Sequence, residues 1–428
     1  MNGVGTQAMA AVDAQLLWLS ASVPNDQFLL YAFDGVPGDI DAAVDEVRRH
    51  AHGCQELRLR AVDDSRLRYP RWQFGGISDE QLVVRAGPPM TWQRCLDAVV
   101  GLTRLDVGRM SWRAHVFPEV TGIPASARPV GSVVVVVQIS HALADGVRSA
   151  ALAAALLGRR SPQPPVPMPE RGVLPWRAAL AAREHRRLQR DVVAGRIDPP
   201  GSPRPPLSVN DGPRRAVLAR TLVPRMSSLP GPTVTVRALV AIAEALGGYL
   251  AARGEDISRL AAEVPIAGAG NNQARNDFRN VTVDLHPELP TGERAGRLAR
   301  QLAGHCRRGA HPAMRASAAA FAAVPAPLLR WGVGRFDPSA RPATVAGHTV
   351  VSSVNRGPAD LSFGGCRVVL TAGYPALSPM MALTHGVHGI GDTVAVSVHA
   401  DPTVVDVPDY LDRLGYALGT SRSPREQT

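Results

Sequence analysis

The chain has 428 residues, 45% of them apolar, which is too long for one ordinary core and points to two globular subdomains. Its net charge of +10 comes from 47 arginines and no lysine, and favours an anionic partner; no nucleic-acid motif accompanies it, so nucleic acid is set aside. Four scattered cysteines (Cys54, Cys95, Cys306, Cys366) without Cys-x-x-Cys spacing argue against a zinc site or a disulfide scaffold. No signal-peptide pattern opens the chain, and no uninterrupted apolar run reaches the roughly 18 residues of a bilayer span, so a cytoplasmic, at most peripheral, location is expected.

In chain order, residues 11–20 read as an apolar helical stretch entered through Asp13. Residues 27–33 read as a strand, and 39–49 as a helix with Ile40, Val44 and Val47 on one face. Short strands fall at 57–62 and 81–85, and a helix at 90–102. Residues 112–118 pair as a hairpin with 133–139, a β-branched run apolar on both faces, as a strand covered on both sides reads. An Ala- and Leu-rich helix follows over 147–157, with Gly158 as its stop.

Residues 159–213 change character. Pro162, Pro164, Pro165, Pro167, Pro169 and Pro175 precede a strongly basic helix over 176–196, and a second proline cluster closes it. The basic face reads as a solvated surface, or as a contact for anionic lipid heads or phosphates. Beyond it come a strand at 216–222, an amphipathic helix at 235–252, strands at 260–266 and 282–285, and a helix at 293–306. The unusually apolar stretch 316–334, broken by Pro325 and Pro327, reads as a buried helix pair, with a lipid contact or the lining of an acyl-chain tunnel as the alternative. Strands at 349–353, 366–371, 386–390 and 393–398 and a helix at 406–418 complete the chain. This divides it into a first lobe (1–160), a Pro/Arg-rich crossover (161–213) and a second lobe (214–428).

Between the 133–139 strand and the following helix stands Ser140-His141-Ala142-Leu143-Ala144-Asp145-Gly146. With 12 His and 40 Gly in the chain, His-x-x-x-Asp-Gly is expected by chance fewer than about 0.1 times. A side chain at the end of a buried strand is rigidly held yet able to face a cavity. Asp145 suits a helix cap, and Gly146 lets backbone approach closely. A core histidine beside a capping aspartate has the same spacing; the strand-end position tilts the reading toward chemistry.

The motif resembles that of CoA-dependent acyltransferases and peptide-synthetase condensation domains. Its surroundings are similar to the bacterial wax ester synthase/diacylglycerol acyltransferase family. Val12-Asp13-Ala14-Gln15-Leu16-Leu17-Trp18-Leu19 looks like that family's opening segment, and Ser111-Trp112-Arg113-Ala114-His115-Val116 like the one upstream of its histidines. Pro206-Leu207-Ser208-Val209-Asn210-Asp211-Gly212-Pro213-Arg214-Arg215 resembles its joint, and Ser352-Ser353-Val354-Asn355-Arg356-Gly357-Pro358 its late turn. Ala400-Asp401 and Val407-Pro408-Asp409 fit its ending. Two departures stand out. Ser140 replaces the first of two usual histidines, and Thr235-Val236 stand where an Asn-Asp pair is usual.

The resemblance implies an α/β (α+β) fold of two chloramphenicol-acetyltransferase-like lobes with the active-site channel between them. It implies an enzyme that moves a fatty acyl group from acyl-CoA to a lipophilic alcohol or diacylglycerol, with no cofactor or metal. His141 would be the general base and would return the proton to the leaving thiolate. Asp145, paired with an unidentified arginine, and Gly146 would support the site. Ser140, Asn210, Ser352, Ser353 and Asn355 would contact substrate. Read from the residues alone, 352–355 is a strand-ending turn and Asn210 a cap of the joint. A membrane or lipid-droplet surface is the further partner implied.

The chemistry is consistent with the sequence. A near-neutral histidine suits a base, and the absence of a Gly-x-Ser-x-Gly elbow leaves direct attack by the acceptor. His385 and His388 are three apart, but Gly386 and Gly389 argue against a helical metal site, and His115 reads as a core histidine. Two alternatives share the motif: a specialised-metabolite acceptor, or a non-catalytic homologue that binds lipid or acyl-CoA.

Overall fold

The computed structural model describes residues 5–126, 131–160, 165–212, 216–268 and 273–420. Pro162, Pro164 and the Pro213-Arg214-Arg215 end of the joint lie outside the described residues.

The β-branched run forms the strand Ser132–Ser140, buried at every position. Alternation sends Val133, Val135, Val137 and Ile139 into one core and Val134 and Val136 into another on the opposite face. The strand lies inside a seven-stranded sheet, antiparallel to Asp26–Phe33 on one side and Trp112–Thr121 on the other. Apolar faces of the helices Ile40–Gly53 and Gly146–Leu156 cover one face of this sheet. Helix Trp92–Val100 covers the other.

The second lobe is built on a six-stranded sheet in which Thr349–Asn355 runs parallel between Ala261–Ala267 and Leu383–Ile390. Helix Val234–Ala251 is long and apolar enough by composition to cross a membrane, yet 67% of it is buried within the protein. It packs there with Val407–Ala417 in the core of the second lobe.

The sequence-based division at 214 does not hold throughout. Ser362–Phe363 and Cys366–Gly373 belong to the first sheet, where Cys366–Gly373 pairs antiparallel with Asp26–Phe33. Without it, Asp26–Phe33 would present an open row of N–H and C=O groups. The strand expected at 57–62 opens instead with a 3₁₀ turn, and Leu59–Val62 joins a small sheet with Arg71–Phe74 and Thr6–Ala8.

The apolar 316–334 stretch forms two helices, Pro312–Ala322 and Ala326–Gly334, bent by 96° where Pro325 interrupts the backbone. They pack against Leu174–Val193 and Ala11–Leu19, away from the channel, so this segment is a helix pair and not a tunnel wall. Leu174–Val193 buries only Leu188, and its arginines face solvent.

Candidate active site

His141 sits in the turn between Ser132–Ser140 and Gly146–Leu156, with the strand end tied to Ser111 O through Ser140 N–H. Its Nδ1 lies 2.9 Å from Asn276 Oδ1. The orientation of that amide follows from its other bonds. Asn276 Nδ2 donates to Asp13 Oδ1 at 2.9 Å and to His141 O at 2.8 Å, so Oδ1 faces the ring. An acceptor opposite Nδ1 makes Nδ1 the protonated nitrogen and leaves the Nε2 lone pair open.

Burial pushes the His141 pKa down, against the opposing effects of hydrogen bonding and of the Asp145 carboxylate. The ring is therefore neutral at neutral pH. Phe278 packs on it, with ring centroids 5.2 Å apart.

Two carboxylates of the first lobe grip one loop of the second. Asp13 is fully buried and accepts the backbone N–H groups of Arg275 at 3.0 Å and Asn276 at 3.1 Å. Burial pushes Asp13 up to about 6, although the hydrogen bonds from Asn276 and Arg275 and the Arg275 charge act in the opposite direction. Asp145 caps its helix by accepting Arg148 N–H at 2.9 Å, and its other oxygen accepts Asp277 N–H at 3.1 Å. Three consecutive amides, 275 to 277, are thus held, and Asn276 is placed under His141.

The arginine implied as partner of Asp145 is otherwise engaged. Arg148 and Arg275 both pair with Glu56, Arg275 at 3.3 Å. Backbone amides take that role at Asp145.

Gly146 lies where a Cβ would come within 3.3 Å of Val354 Cγ2, so its absence lets the two lobes approach beside His141. Two cavities, of about 270 Å³ and about 760 Å³, both include His141 in their walls. His141, Gly146, Phe278 and Ser352 belong to both walls. A third cavity of about 400 Å³ shares Phe28 and Tyr374 with the first and continues along Val99, Leu102 and Leu377.

The other predicted site residues divide. Ser352 faces both cavities; Ser353 lines the larger one, with its hydroxyl 2.8 Å from that of Thr235. Ser140 is buried and accepts Ala142 N–H within its own turn, away from both cavities. Asn210 is buried among the carbonyls of Gly347 and Met380 and caps Leu207 N–H, so it pins the joint. Asn355 accepts Gly357 N–H and closes the strand-ending turn. For these three, backbone groups satisfy the side chain, and none of them lines either cavity at His141.

Among the other histidines, His385 bonds Thr349 and the Tyr410 hydroxyl in the core of the second lobe, while His388 faces the smaller cavity. His115 is buried between Arg85 and Gln138.

Asp13 and Asn276 were not singled out as site residues from the sequence. Asp13 carried a signal as the entry to the first helix. Asn276 had none, because its role depends on a partner 135 residues away.

No protein-family model matches the chain, and no curated protein matches it in sequence. Solved structures do. One is the wax ester synthase/diacylglycerol acyltransferase from Marinobacter aquaeolei VT8, at 19% identity over 97% of this chain and 98% of that one, with a TM-score of 0.61. Another is the starter condensation domain of rhizomide synthetase, solved with C8-CoA and Leu-SNAC, at 13% identity over 97% and 94%, TM-score 0.58. A third is the trichothecene 15-O-acetyltransferase TRI3 from Fusarium sporotrichioides, at 11% identity over 98% and 95%, TM-score 0.56. The chain has the two-lobed α/β fold of these proteins over nearly its whole length.

Proposed function

We propose that this protein is an acyl-CoA-dependent O-acyltransferase that moves a fatty acyl group to a lipophilic alcohol or diacylglycerol, with His141 as general base. The observation that carries the reading is a neutral histidine, its Nε2 open, at the meeting point of two cavities. One cavity would take the donor and the other the acceptor, and the reaction needs no enzyme nucleophile.

In the step proposed, His141 Nε2 takes the acceptor's hydroxyl proton as the oxygen attacks the thioester carbonyl. The C–O bond forms, the C–S bond breaks, and the imidazolium returns the proton to the CoA thiolate. Base catalysis of this kind contributes about 10²–10⁴-fold. The Ser352 hydroxyl, on the wall of both cavities, is suited to donate to the developing oxyanion. The apolar third cavity supports a hydrocarbon-bearing substrate.

A peripheral attachment to anionic membrane or lipid-droplet surfaces from the cytoplasmic side belongs to the same reading. Leu174–Val193 and Pro312–Ala322 run side by side, with Asp191 meeting His311 at one end and Arg171 and Val324 meeting Tyr69 at the other. That second end exposes Trp176, Leu328 and Trp331 among arginines. The cavities that meet at His141 weigh against a non-catalytic binder. The polar groups of the smaller cavity, including Asn280 and Arg356, favour as second reading a more polar, specialised-metabolite acceptor.

The test is CoA thiol release from a panel of acyl-CoAs with long-chain alcohols and diacylglycerol. Acceptor-dependent release should fall at least about a hundredfold in His141→Ala. Equal release by the two proteins would make His141 structural and end the reading.

A further inference from the structure

Buried arginines are ordinarily paired with an acid. Arg356, only 4% exposed, makes no ion pair among the described residues. Its electrostatic neighbours are the phenols of Tyr31 and Tyr374, and its guanidinium lies 5.3 Å from the Tyr31 ring centre. Nη1 donates to Ala372 O, Leu30 O and Thr371 Oγ1, and so pins the two strands of the first sheet. Nε has no partner, and the Tyr31 phenol also meets the guanidinium.

His388 is 5% exposed, and its Nδ1 also lacks a partner. Burial and the Arg356 charge hold its pKa well below the usual range, so it is a neutral N–H donor. The two side chains converge over Gly373. A Cβ at Gly373 would stand 2.7 Å from Arg356 Nη2 and 3.0 Å from His388 Nε2, so the glycine creates the room they occupy. Arg356, His388 and Gly373 line the same 270 Å³ cavity as His141.

We propose that Arg356 and His388 form a carboxylate-binding site, and that the acceptor is a hydroxy acid whose hydroxyl reaches His141 while its carboxylate meets this pair. The inference rests on the acyl-transfer reading and narrows its acceptor. A carboxylate supplies the missing counter-charge, and its two oxygens match the guanidinium edge and the imidazole N–H. The small volume shared with the reacting hydroxyl favours this compact anion. The adjoining apolar cavity behind Phe28 and Tyr374 takes the hydrocarbon portion. In the reaction, the thioester C–S bond breaks, the hydroxyl oxygen gains the acyl carbon, and its proton leaves on CoA. The carboxylate is unchanged, and the product is an acyloxy acid.

Binding tests this without turnover, so absence of CoA release, which would defeat the acyl-transfer reading, does not obscure the result. Calorimetry compares a medium-chain 3-hydroxy acid with its methyl ester. The wild type should bind the acid at least about tenfold more tightly. Arg356→Met should reduce that preference below about twofold, and His388→Leu should lower it several-fold while leaving ester binding unchanged. His388→Leu and the wild-type comparison decide the matter if Arg356→Met does not fold. Equal binding of acid and ester to the wild type would make Arg356 a strand pin only. A preference that survives both substitutions would place the anion elsewhere. Either result overturns the proposal. A third arm compares a dicarboxylic mono-CoA thioester with a monocarboxylic one of equal length. Equal binding is expected; a preference for the former would move the carboxylate to the donor and overturn the acceptor assignment.

Discussion

The turn that carries His141 and the loop that grips it are built in opposite ways. The turn is local: a buried β-branched strand ends, an aspartate caps the next helix, and the histidine lies between them. The loop over 275–277 has no regular structure of its own, and it is fixed by Asp13 and Asp145 from the other lobe. The first region places the reacting atom. The second decides which ring nitrogen carries the proton. The proposed base and its orientation are therefore separate inheritances of the chain, and substitutions separate them.

The largest effect in the gripping loop is expected at Asn276→Ala. It removes the acceptor at His141 Nδ1, frees the tautomer, and leaves Asp13 without its side-chain donor. Activity should fall about 10- to 100-fold in kcat, by analogy with other orienting groups, while KM for acyl-CoA changes less than about twofold. Steady-state kinetics distinguishes this from a folding defect, which would lower active enzyme without that split.

Asp145→Ala acts on both regions at once. It removes a helix cap and the acceptor for Asp277 N–H, so thermal or denaturant unfolding should register a loss of about 1–3 kcal/mol. Should stability stay unchanged, the clamp between lobes is not formed in solution. Ser140→Ala should matter least. Its hydroxyl accepts Ala142 N–H within the turn, and kcat/KM should stay within about twofold of wild type. A tenfold loss there would point to a substrate role for Ser140.

The same contrast explains what was legible beforehand. The strand Ser132–Ser140 and the helix Gly146–Leu156 follow from periodicity and composition, which act over a few residues. So do the helices of both lobes and the position of His141. The crossing of Cys366–Gly373 into the first sheet was not legible, because an alternating strand does not name its partner. Asn276 was invisible for the same reason. Ser140, Asn210 and Asn355 bond backbone groups instead of facing the cavities, as short polar side chains beside turns often do. Ser352 and Ser353 came by resemblance and do reach the cavities.

The most direct measurement is a ¹⁵N-NMR titration of His141 in protein labelled at histidine, assigned by comparison with His141→Ala. The account predicts a neutral ring at pH 7 with the proton on Nδ1 and none on Nε2. Because burial lowers this pKa, the midpoint of protonation should lie below that of a free imidazole, and the acid limb of kcat/KM should move down with it. A ring that is protonated on Nε2 at pH 7, or charged there, would contradict the account, since Nε2 could not then accept the acceptor's proton.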